Sequence, residues 1–199
     1  MRELRVAVIA LIWFTVLTGI VYPLAVTGVA QLVFRDQANG SLIVRNGHVV
    51  GSSLIGQQFS DPRYFWSRPS ATTPFPYNSA SSSGSNYGPL NPDLQKAVEQ
   101  RMRALRAADP GNTQRVPVDL ITSSASGLDP HISPAAASFQ AARVARLRNL
   151  PLENVQRLIE AHTAKRQWGF LGEPTVNVLE LNLALDQSHA PTGRASWRP

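Results

Sequence analysis

Residues 121–145, ITSSASGLDPHISPAAASFQAARVA, place an aspartate, a histidine and several serines directly before a run of alanines. In the structural interpretation, residues 127–130 form a turn around the Asp-Pro pair. Ser133 then caps a helix whose first residue is Pro134. Alanine is the strongest helix former, so the run that follows favours a helix. Every polar residue of the stretch then has a role in holding the backbone.

The alternative interpretation is a hydrolytic site that draws a serine nucleophile, a histidine base and an orienting acid from residues 123–133. His131 lies two positions from both Asp129 and Ser133, and neither a helix nor a strand turns that spacing into a triad by itself. The chain contains no G-x-S-x-G motif. The sequence favours the helix start, and a membrane-anchored Ser/His/Asp hydrolase is the second hypothesis.

Further elements are predicted on both sides of this stretch. Asn91 caps a helix that begins at Pro92 and ends before Asp109. Residues 116–122, VPVDLIT, are predicted to form a short strand. Residues 151–164, PLENVQRLIEAHTA, have the spacing of an amphipathic helix.

The C-terminal segment is ambiguous, because four leucines alternate there as they would in a strand, at Leu179, Leu181, Leu183 and Leu185. Asn177 can also cap a helix that starts at Val178, and we slightly favour the helix. Residues 187–199 are predicted to be a disordered tail in which only Trp197 could dock.

Toward the N-terminus, Asn46-Gly47 lies between two apolar runs and predicts a β-hairpin. Residues 72–92 are rich in Ser, Gly, Asn and Pro, which is typical of either a flexible linker or an ordered surface loop. Between them, four aromatic side chains predict a small core under a loop: Phe59, Tyr64, Phe65 and Trp66. A partner-facing patch that includes Arg63 and Arg68 is the alternative for this aromatic segment.

Residues 6–34 carry no formal charge and are long enough to cross a bilayer as a helix. A cleavable signal peptide, with Gly28 and Ala30 before the cut, is the competing interpretation, but its apolar core is ordinarily only about 7–15 residues long. Pro23 is expected to kink the helix. The predicted transmembrane residues include Val6, Ile12, Val16, Ile20, Pro23 and Val29.

The charges that flank this run predict the orientation of the chain. Arg2 and Arg5 precede it, whereas Arg35 is followed at once by Asp36, so the N-terminus is expected in the cytoplasm. Residues 1–35 would form the anchor, and residues 36–186 one extracytoplasmic domain of mixed α/β (α+β) class. The chain has no cysteine, which is compatible with an oxidising compartment outside a bacterial inner membrane.

The composition argues against several functional classes. The net charge is +6, but the basic residues are not interleaved with stacking aromatics, so we expect no nucleic-acid partner. P-loop, G-x-G-x-x-G and H-E-x-x-H motifs are absent from the sequence. The four histidines are scattered, so no metal site is expected.

Several segments together resemble the C subunit of Kdp-type potassium-transporting P-type ATPases. They occur in the family order and cover nearly the whole chain, and the run GLDPHISPAAA is the most specific of them. The segments are VYPLAVTGVAQ (21–31), GSSLIGQQF (51–59), YFWSRPSAT (64–72), YNSASSSGSNYGPLNP (77–92), residues 116–145 and LGEPTVNVLELNLALD (171–186).

The resemblance implies a non-catalytic accessory subunit with one transmembrane helix. Its partners would be a potassium-binding channel-like subunit, a P-type pump subunit and a small hydrophobic subunit. Motif residues with a structural or partner-facing role would be Arg68, Pro69, Asn86, Gly88, Asp129, Pro130, His131, Ser133, Pro134, Glu173 and Asn177.

The family is also described as a catalytic chaperone that raises the ATP affinity of the pump subunit. ATP is cytoplasmic, whereas the predicted topology places the main domain outside. We therefore expect ATP to act through the pump subunit, and no cofactor to be bound directly by this chain.

Overall fold

The computed structural model of the chain describes residues 1–189. It divides into two compact units, residues 1–52 and a second unit that begins at Ser53. The anchor boundary at residue 35 concerns the membrane rather than packing, and it stays a prediction.

The first unit begins with one long helix, Arg2–Val33, which is the only helix among residues 1–189 that is long and apolar enough to cross a membrane. Its 32 residues correspond to about 48 Å at 1.5 Å per residue, more than the roughly 30 Å of a bilayer core. Helix α1 spans Arg2–Val16 and helix α2 spans Tyr22–Val33. Every predicted transmembrane side chain on them is exposed, as expected for a surface that faces lipid or partner helices.

A π-helical turn, Leu17–Val21, joins the two helices. Here the Tyr22 N–H donates to the Leu17 carbonyl, five residues back. Pro23 has no N–H, and its ring would clash with the carbonyl four residues earlier in a regular helix. One widened turn accommodates the proline, so the helix continues through it.

A one-turn helix, α3 (Arg35–Ala38), leads into the predicted hairpin. Strands β1 (Leu42–Arg45) and β2 (His48–Ser52) pair antiparallel, with a register shift after Ile43. Asn46 and Gly47 both have positive φ angles, 51° and 79°, which is the turn that Asn-Gly favours. The hairpin prediction is confirmed.

Residues 53–189, the described part of the second unit, contain four α-helices. Helix α4 (Pro92–Ala108) is capped by Asn91, whose side chain accepts a 2.8 Å hydrogen bond from the Asp93 N–H. Helix α5 (Pro134–Arg148) is capped by Ser133, whose Oγ accepts from the Ala136 N–H at 3.0 Å. Helices α6 (Leu152–Ala161) and α7 (Val178–His189) follow. Both predicted caps are confirmed. The predicted amphipathic helix is confirmed over Leu152–Ala161, but Thr163–Ala164, which the prediction included in it, form a short β-strand instead.

The predicted strand at residues 116–122 is wrong. The chain forms a single 3₁₀ turn there, Val118–Leu120, which follows Pro117. The Val118 carbonyl accepts from the N–H groups of Ile121 and Thr122, so these groups do not form a ladder with another strand. In this turn Leu120 is buried and Val118 is exposed.

Three short strands form an antiparallel sheet in the order β3-β5-β4. These are β3 (His131–Ile132), β4 (Thr163–Ala164) and β5 (Thr175–Asn177). Asn177 ends β5 and caps α7, because its Oδ1 accepts from the Glu180 N–H at 3.2 Å. The ambiguous segment is therefore a helix. It runs to His189, beyond the predicted start of the tail at Gln187, and residues 190–199 of that predicted tail lie outside the described part of the chain.

Helix α5 lies at the centre of the second unit, because buried residues occur around most of its circumference. Its neighbours in space are α6 and β5. The fully buried core draws on almost every element of the unit, through Phe65, Leu120, Ile132, Val144, Val155, Val176, Leu181 and Leu185. The mixed helix and sheet architecture after one N-terminal helix agrees with the fold class predicted from the sequence.

Candidate functional site

The aromatic segment around Phe65 is buried but is neither helix nor strand, and side chains from two helices hydrogen-bond to its backbone. Asn182 on α7 makes both bonds to Phe65: its Oδ1 accepts from the Phe65 N–H at 2.9 Å, and its Nδ2 donates to the Phe65 carbonyl at 3.0 Å. A side-chain amide thus reproduces the pattern of a β-ladder. The two buried backbone groups of Phe65 are thereby satisfied.

Gln140 on α5 does the same for the next residue. Its Oε1 accepts from the Trp66 N–H at 2.8 Å, and its Nε2 donates to the Trp66 carbonyl at 3.1 Å. Two successive residues of the segment are therefore clamped by amides from two different helices. These four hydrogen bonds fix the position of the Phe65 and Trp66 backbone relative to α7 and α5.

A buried guanidinium completes the clamp. Arg143 donates to the carbonyls of Pro62 and Tyr64 and, at 2.7 Å, to Oε1 of Gln140. It also lies 5.0 Å from the centre of the Trp66 ring, which is a cation–π distance. Burial lowers the pKa of Arg143 to about 10, so the group is still charged near neutral pH.

Arg148 ties the start of the segment to α7. Its Nε donates to the Arg63 carbonyl at 2.8 Å, its Nη2 pairs with Asp186 at 2.8 Å, and its guanidinium lies 4.4 Å from the centre of the Tyr64 ring. The Tyr64 hydroxyl donates to the same aspartate at 3.1 Å.

The predicted aromatic core is confirmed for Phe65, Trp66 and, in part, Phe59. The sequence interpretation missed Gln140, Arg143 and Asn182. A signal for them exists, because Gln140 and Arg143 stand at i, i+3 spacing among the alanines and Val144 of a helix that is buried around most of its circumference. Asn182 likewise interrupts a run of leucines. A polar side chain on a helix face that must be buried indicates a hydrogen bond to the backbone of another chain segment, because an unpaired buried polar group is costly.

The Asp-Pro-His turn lies beside the end of the aromatic segment. Oδ1 of Asp129 accepts from the His131 N–H at 2.9 Å, and Oδ2 accepts from Nη1 of Arg68 at 3.1 Å. Partial burial raises the pKa of Asp129, but the hydrogen bonds from His131 and the charge of Arg68 outweigh it. The net pKa lies below the ordinary value. Asp129 is therefore a carboxylate that links two chain segments.

The loop at residues 72–92 is ordered where it packs on this turn. Just before the loop, the Ser70 hydroxyl donates to the Gly127 carbonyl at 2.7 Å. Within the loop, the hydroxyl of the half-buried Tyr77 donates to the Arg68 carbonyl at 2.6 Å. Gly127 has a φ of +66°, and a Cβ there would lie 2.6 Å from the Ser83 carbonyl oxygen. Only glycine fits between the loop and the turn at this position.

The serines of the turn are engaged with the backbone or with each other. Ser133 caps α5, and Oγ of Ser126 accepts from the Leu128 N–H at 3.1 Å. Ser123 donates to the hydroxyl of Ser85 at 3.3 Å. Within residues 1–189 the side-chain partner of the His131 ring is the Asp129 carboxylate, at 3.4 Å. The serine–histidine pair that hydrolysis requires is not assembled there.

The other predicted motif residues are distributed over the second unit. Pro134 is the first residue of α5, and Pro130 accepts from the Val178 N–H at 3.0 Å. Asn177 donates to the Ser53 carbonyl at 2.8 Å, which holds β5 to the beginning of the unit. Residues away from the turn are Asn86, with a positive φ, Gly88 before α4, and Glu173, which pairs with Arg166 at 2.7 Å.

A shallow surface depression lies over the turn. Its rim includes the side chains of Arg68 and Asp129, which form the one charged pair in it. The remainder is mostly apolar or small, and comes from Leu54, Ser124, Ala125, Ser126, Leu128 and Pro130.

Comparison with known proteins identifies the family of the chain. The family model described as "KdpC: K+-transporting ATPase, c chain" matches residues 4–187. A potassium-transporting ATPase KdpC subunit of Variovorax paradoxus is 64% identical over 187 residues, which is 94% of this chain and 97% of that protein. The corresponding subunit of Methylococcus capsulatus is 62% identical over 185 residues, 93% of this chain and 97% of that protein.

A third relative gives the same result. The KdpC subunit of Herpetosiphon aurantiacus is 63% identical over 183 residues, covering 92% of this chain and 95% of the relative. The match spans the anchor helix, the aromatic segment, the Asp-Pro-His turn and α7 together. The chain therefore belongs to the KdpC family, the c chains of K+-transporting ATPases.

Proposed function

We propose that the chain is a non-catalytic accessory subunit that assembles and stabilises a potassium-transporting ATPase complex in a bacterial inner membrane. The proposed partners are a potassium-binding channel-like subunit, a P-type pump subunit and a small hydrophobic subunit. One observation carries the proposal. The polar groups of the family motif and of the aromatic clamp are used to hold this chain's own backbone, as in a rigid docking domain.

We place the second unit outside the cytoplasm, with the N-terminus inside. Support comes from Arg2 and Arg5 before the apolar helix and from its 32-residue length. An effect on ATP would then have to be indirect, through the pump subunit, because nucleotide lies on the other side of the membrane. We propose no cofactor that this chain binds by itself.

Assembly can be tested by purifying the complex through a tag on the pump subunit, with and without this chain. We expect loss of the chain to reduce recovery of the channel-like subunit and potassium uptake together. Full recovery and normal uptake without the chain would contradict the proposal. Turnover of ester substrates by the purified chain would instead support the hydrolase hypothesis.

Ser133 separates the structural role of the motif from a chemical one. Ser133→Ala should lower the free energy of unfolding by about 0.5–2 kcal/mol, because it removes the cap of α5. Ser133→Asp should restore most of it, since a carboxylate also caps and suits the helix dipole. If Ser133→Asp regains stability while transport per assembled complex stays abolished, the structural role is contradicted.

Orientation can be tested with single cysteines, because the chain has none of its own. Leu90 is 96% exposed in the second unit, so Leu90→Cys is an accessible reporter there. Glu3→Cys reports on the N-terminus. A membrane-impermeant thiol reagent added to intact spheroplasts should label position 90 and spare position 3, and the reverse pattern would contradict the proposed orientation.

A further inference from the structure

The turn between β4 and β5 presents aromatic side chains to solvent. The N–H of Gln167 donates to the Leu171 carbonyl at 2.9 Å, and the N–H of Leu171 donates back to the Gln167 carbonyl at 2.9 Å. Between these residues stand Trp168, Gly169 and Phe170. The side chains of Trp168 and Phe170 are 84% and 67% exposed, and their ring centres are 6.5 Å apart.

The backbone of this turn does not favour a tryptophan. Trp168 and Gly169 have φ angles of +51° and +84°, nearly the +51° and +79° of Asn46 and Gly47 in the hairpin. Asparagine tolerates the left-handed region, whereas a bulky side chain there is strained by on the order of 1 kcal/mol. Burial of the Trp168 ring does not offset this backbone strain, since 84% of its surface is exposed.

Residues 164–173 are all exposed, so the described part of the second unit does not cover either side of the tip. Leu171 adds a third large apolar side chain that is 42% exposed. An apolar tip that is open on all sides suits a layer of lipid headgroups and acyl chains, which can surround it. A protein hot spot normally lies within a flat patch of supporting contacts.

Charge at the base of the turn points to the same partner. Lys165 and Arg166 precede the aromatic tip, and Glu173 pairs with Arg166 at 2.7 Å. Lys165 is exposed, and the ion pairs within residues 1–189 do not include it. Tryptophan beside lysine is typical of segments that settle at the interface of an anionic bilayer.

We propose that the aromatic tip, residues 168–171, inserts into the headgroup region of the bilayer and that Lys165 contacts anionic phospholipid. The inference goes beyond the accessory function and rests on it only for the membrane tether. The tether matters because a helix in the same chain keeps a lipid surface at high effective concentration, so a small apolar tip suffices for binding.

The test uses the full chain reconstituted in vesicles of phosphatidylcholine and phosphatidylglycerol. Trp13→Phe and Trp197→Phe remove the anchor and tail fluorophores, which leaves Trp168 and the core residue Trp66, which is 7% exposed. The same chain with Trp168→Asn supplies the Trp66 baseline. Phosphatidylcholine brominated near the headgroup end of its acyl chains should quench the Trp168 emission about twofold. Aqueous acrylamide should have little access to it.

Efficient quenching by acrylamide without quenching by brominated lipid would overturn the proposal. The same measurement in the assembled complex gives a second decisive outcome, because shielding from both quenchers would mean that a partner subunit covers the tip. Trp168→Asn should leave complex assembly unchanged. A loss of assembly in that variant would overturn the lipid assignment while leaving the accessory function standing.

Discussion

Two aromatic stretches of this chain have similar composition and opposite surroundings. Tyr64-Phe65-Trp66 lies between an arginine and a serine-arginine pair, and Trp168-Gly169-Phe170 follows a lysine-arginine pair. In the first stretch Phe65 and Trp66 are core residues, whereas in the second both rings face outward. Hydrophobic composition alone therefore does not decide which aromatic residues a fold buries.

The difference lies in what holds each backbone. The first stretch has buried N–H and C=O groups, and Asn182 and Gln140 satisfy them from two helices. The second closes on itself through the paired bonds of Gln167 and Leu171, and needs no other element. A segment outside regular helices and strands can be buried only where other groups hydrogen-bond to its backbone. Each buried N–H or C=O group without a partner costs on the order of 1–3 kcal/mol.

The largest contrast is expected from truncating one ring in each stretch. Phe65→Ala should lower the free energy of unfolding by about 3–5 kcal/mol, because it leaves a cavity in the core. Phe170→Ala should change it by no more than about 0.5 kcal/mol, since that ring is exposed. Chemical denaturation of the detergent-solubilised chain, followed by near-UV circular dichroism, measures both. Equal losses of unfolding free energy in Phe65→Ala and Phe170→Ala would contradict the difference between the two stretches.

Removal of an amide clamp should have the next largest effect. Asn182→Ala leaves the N–H and C=O of Phe65 buried without partners, and should cost about 2–4 kcal/mol. Asn182→Leu, which restores volume but no hydrogen bond, should not rescue it. Gln95→Ala on the exposed face of α4 is the control and should be nearly silent. A leucine variant as stable as the native chain would show that the clamp contributes nothing.

Acid should loosen the end of the first stretch through Asp129. Its pKa is lower in the folded chain than the unfolded value of about 3.9, so its contribution is present above that value. The contribution is lost as the pH falls through the lowered folded pKa. In unfolding experiments from neutral to acid pH, Asp129→Asn should show a flatter acid limb than the native chain. An acid limb as steep as that of the native chain would contradict this role of Asp129.

The smallest effect is expected at the second stretch, and it has the opposite sign. Trp168→Asn should leave the free energy of unfolding unchanged or raise it by up to about 1 kcal/mol, because asparagine relieves the left-handed strain. Trp168→Ala removes the same ring but should gain less, since alanine is disfavoured at this φ. Thermal or urea unfolding distinguishes the pair. A clear destabilisation by Trp168→Asn would mean that the tryptophan supports the fold.

The sequence alone predicts the features that depend on neighbouring residues, which are the helix caps, the hairpin turn and the apolar helix. Asn91 and Ser133 cap α4 and α5 as predicted, and Asn46-Gly47 closes the hairpin, because each effect acts within a few residues of backbone. The uncharged run at residues 6–34 likewise gave the long helix. Pro23 altered it through a π-turn, a local adjustment whose form depends on how neighbouring carbonyls rearrange.

Sequence reasoning failed, or left two alternatives open, where the partners of a segment are distant in sequence. The strand predicted at residues 116–122 would need another strand to pair with it, and the chain forms a 3₁₀ turn there instead. The leucines after Asn177 fit two periodicities, and packing against α6 and β5 decides for the helix. Gln140 and Asn182 contact residues 74 and 117 positions away. Local pattern marks them as polar residues within apolar runs, but it does not indicate which backbone groups they contact.

The sequence by itself determined the apolar span, the helix caps, the hairpin turn and the motif that indicates the family, because these depend on short-range chemistry. Only the tertiary structure decided that Asp129 bridges His131 and Arg68, that Phe65 and Trp66 are clamped by helix amides, and that Trp168 remains exposed. The physical reason is that burial and hydrogen-bond satisfaction are properties of contacts between distant segments. The same residue type is stabilising or strained according to what the rest of the chain brings beside it.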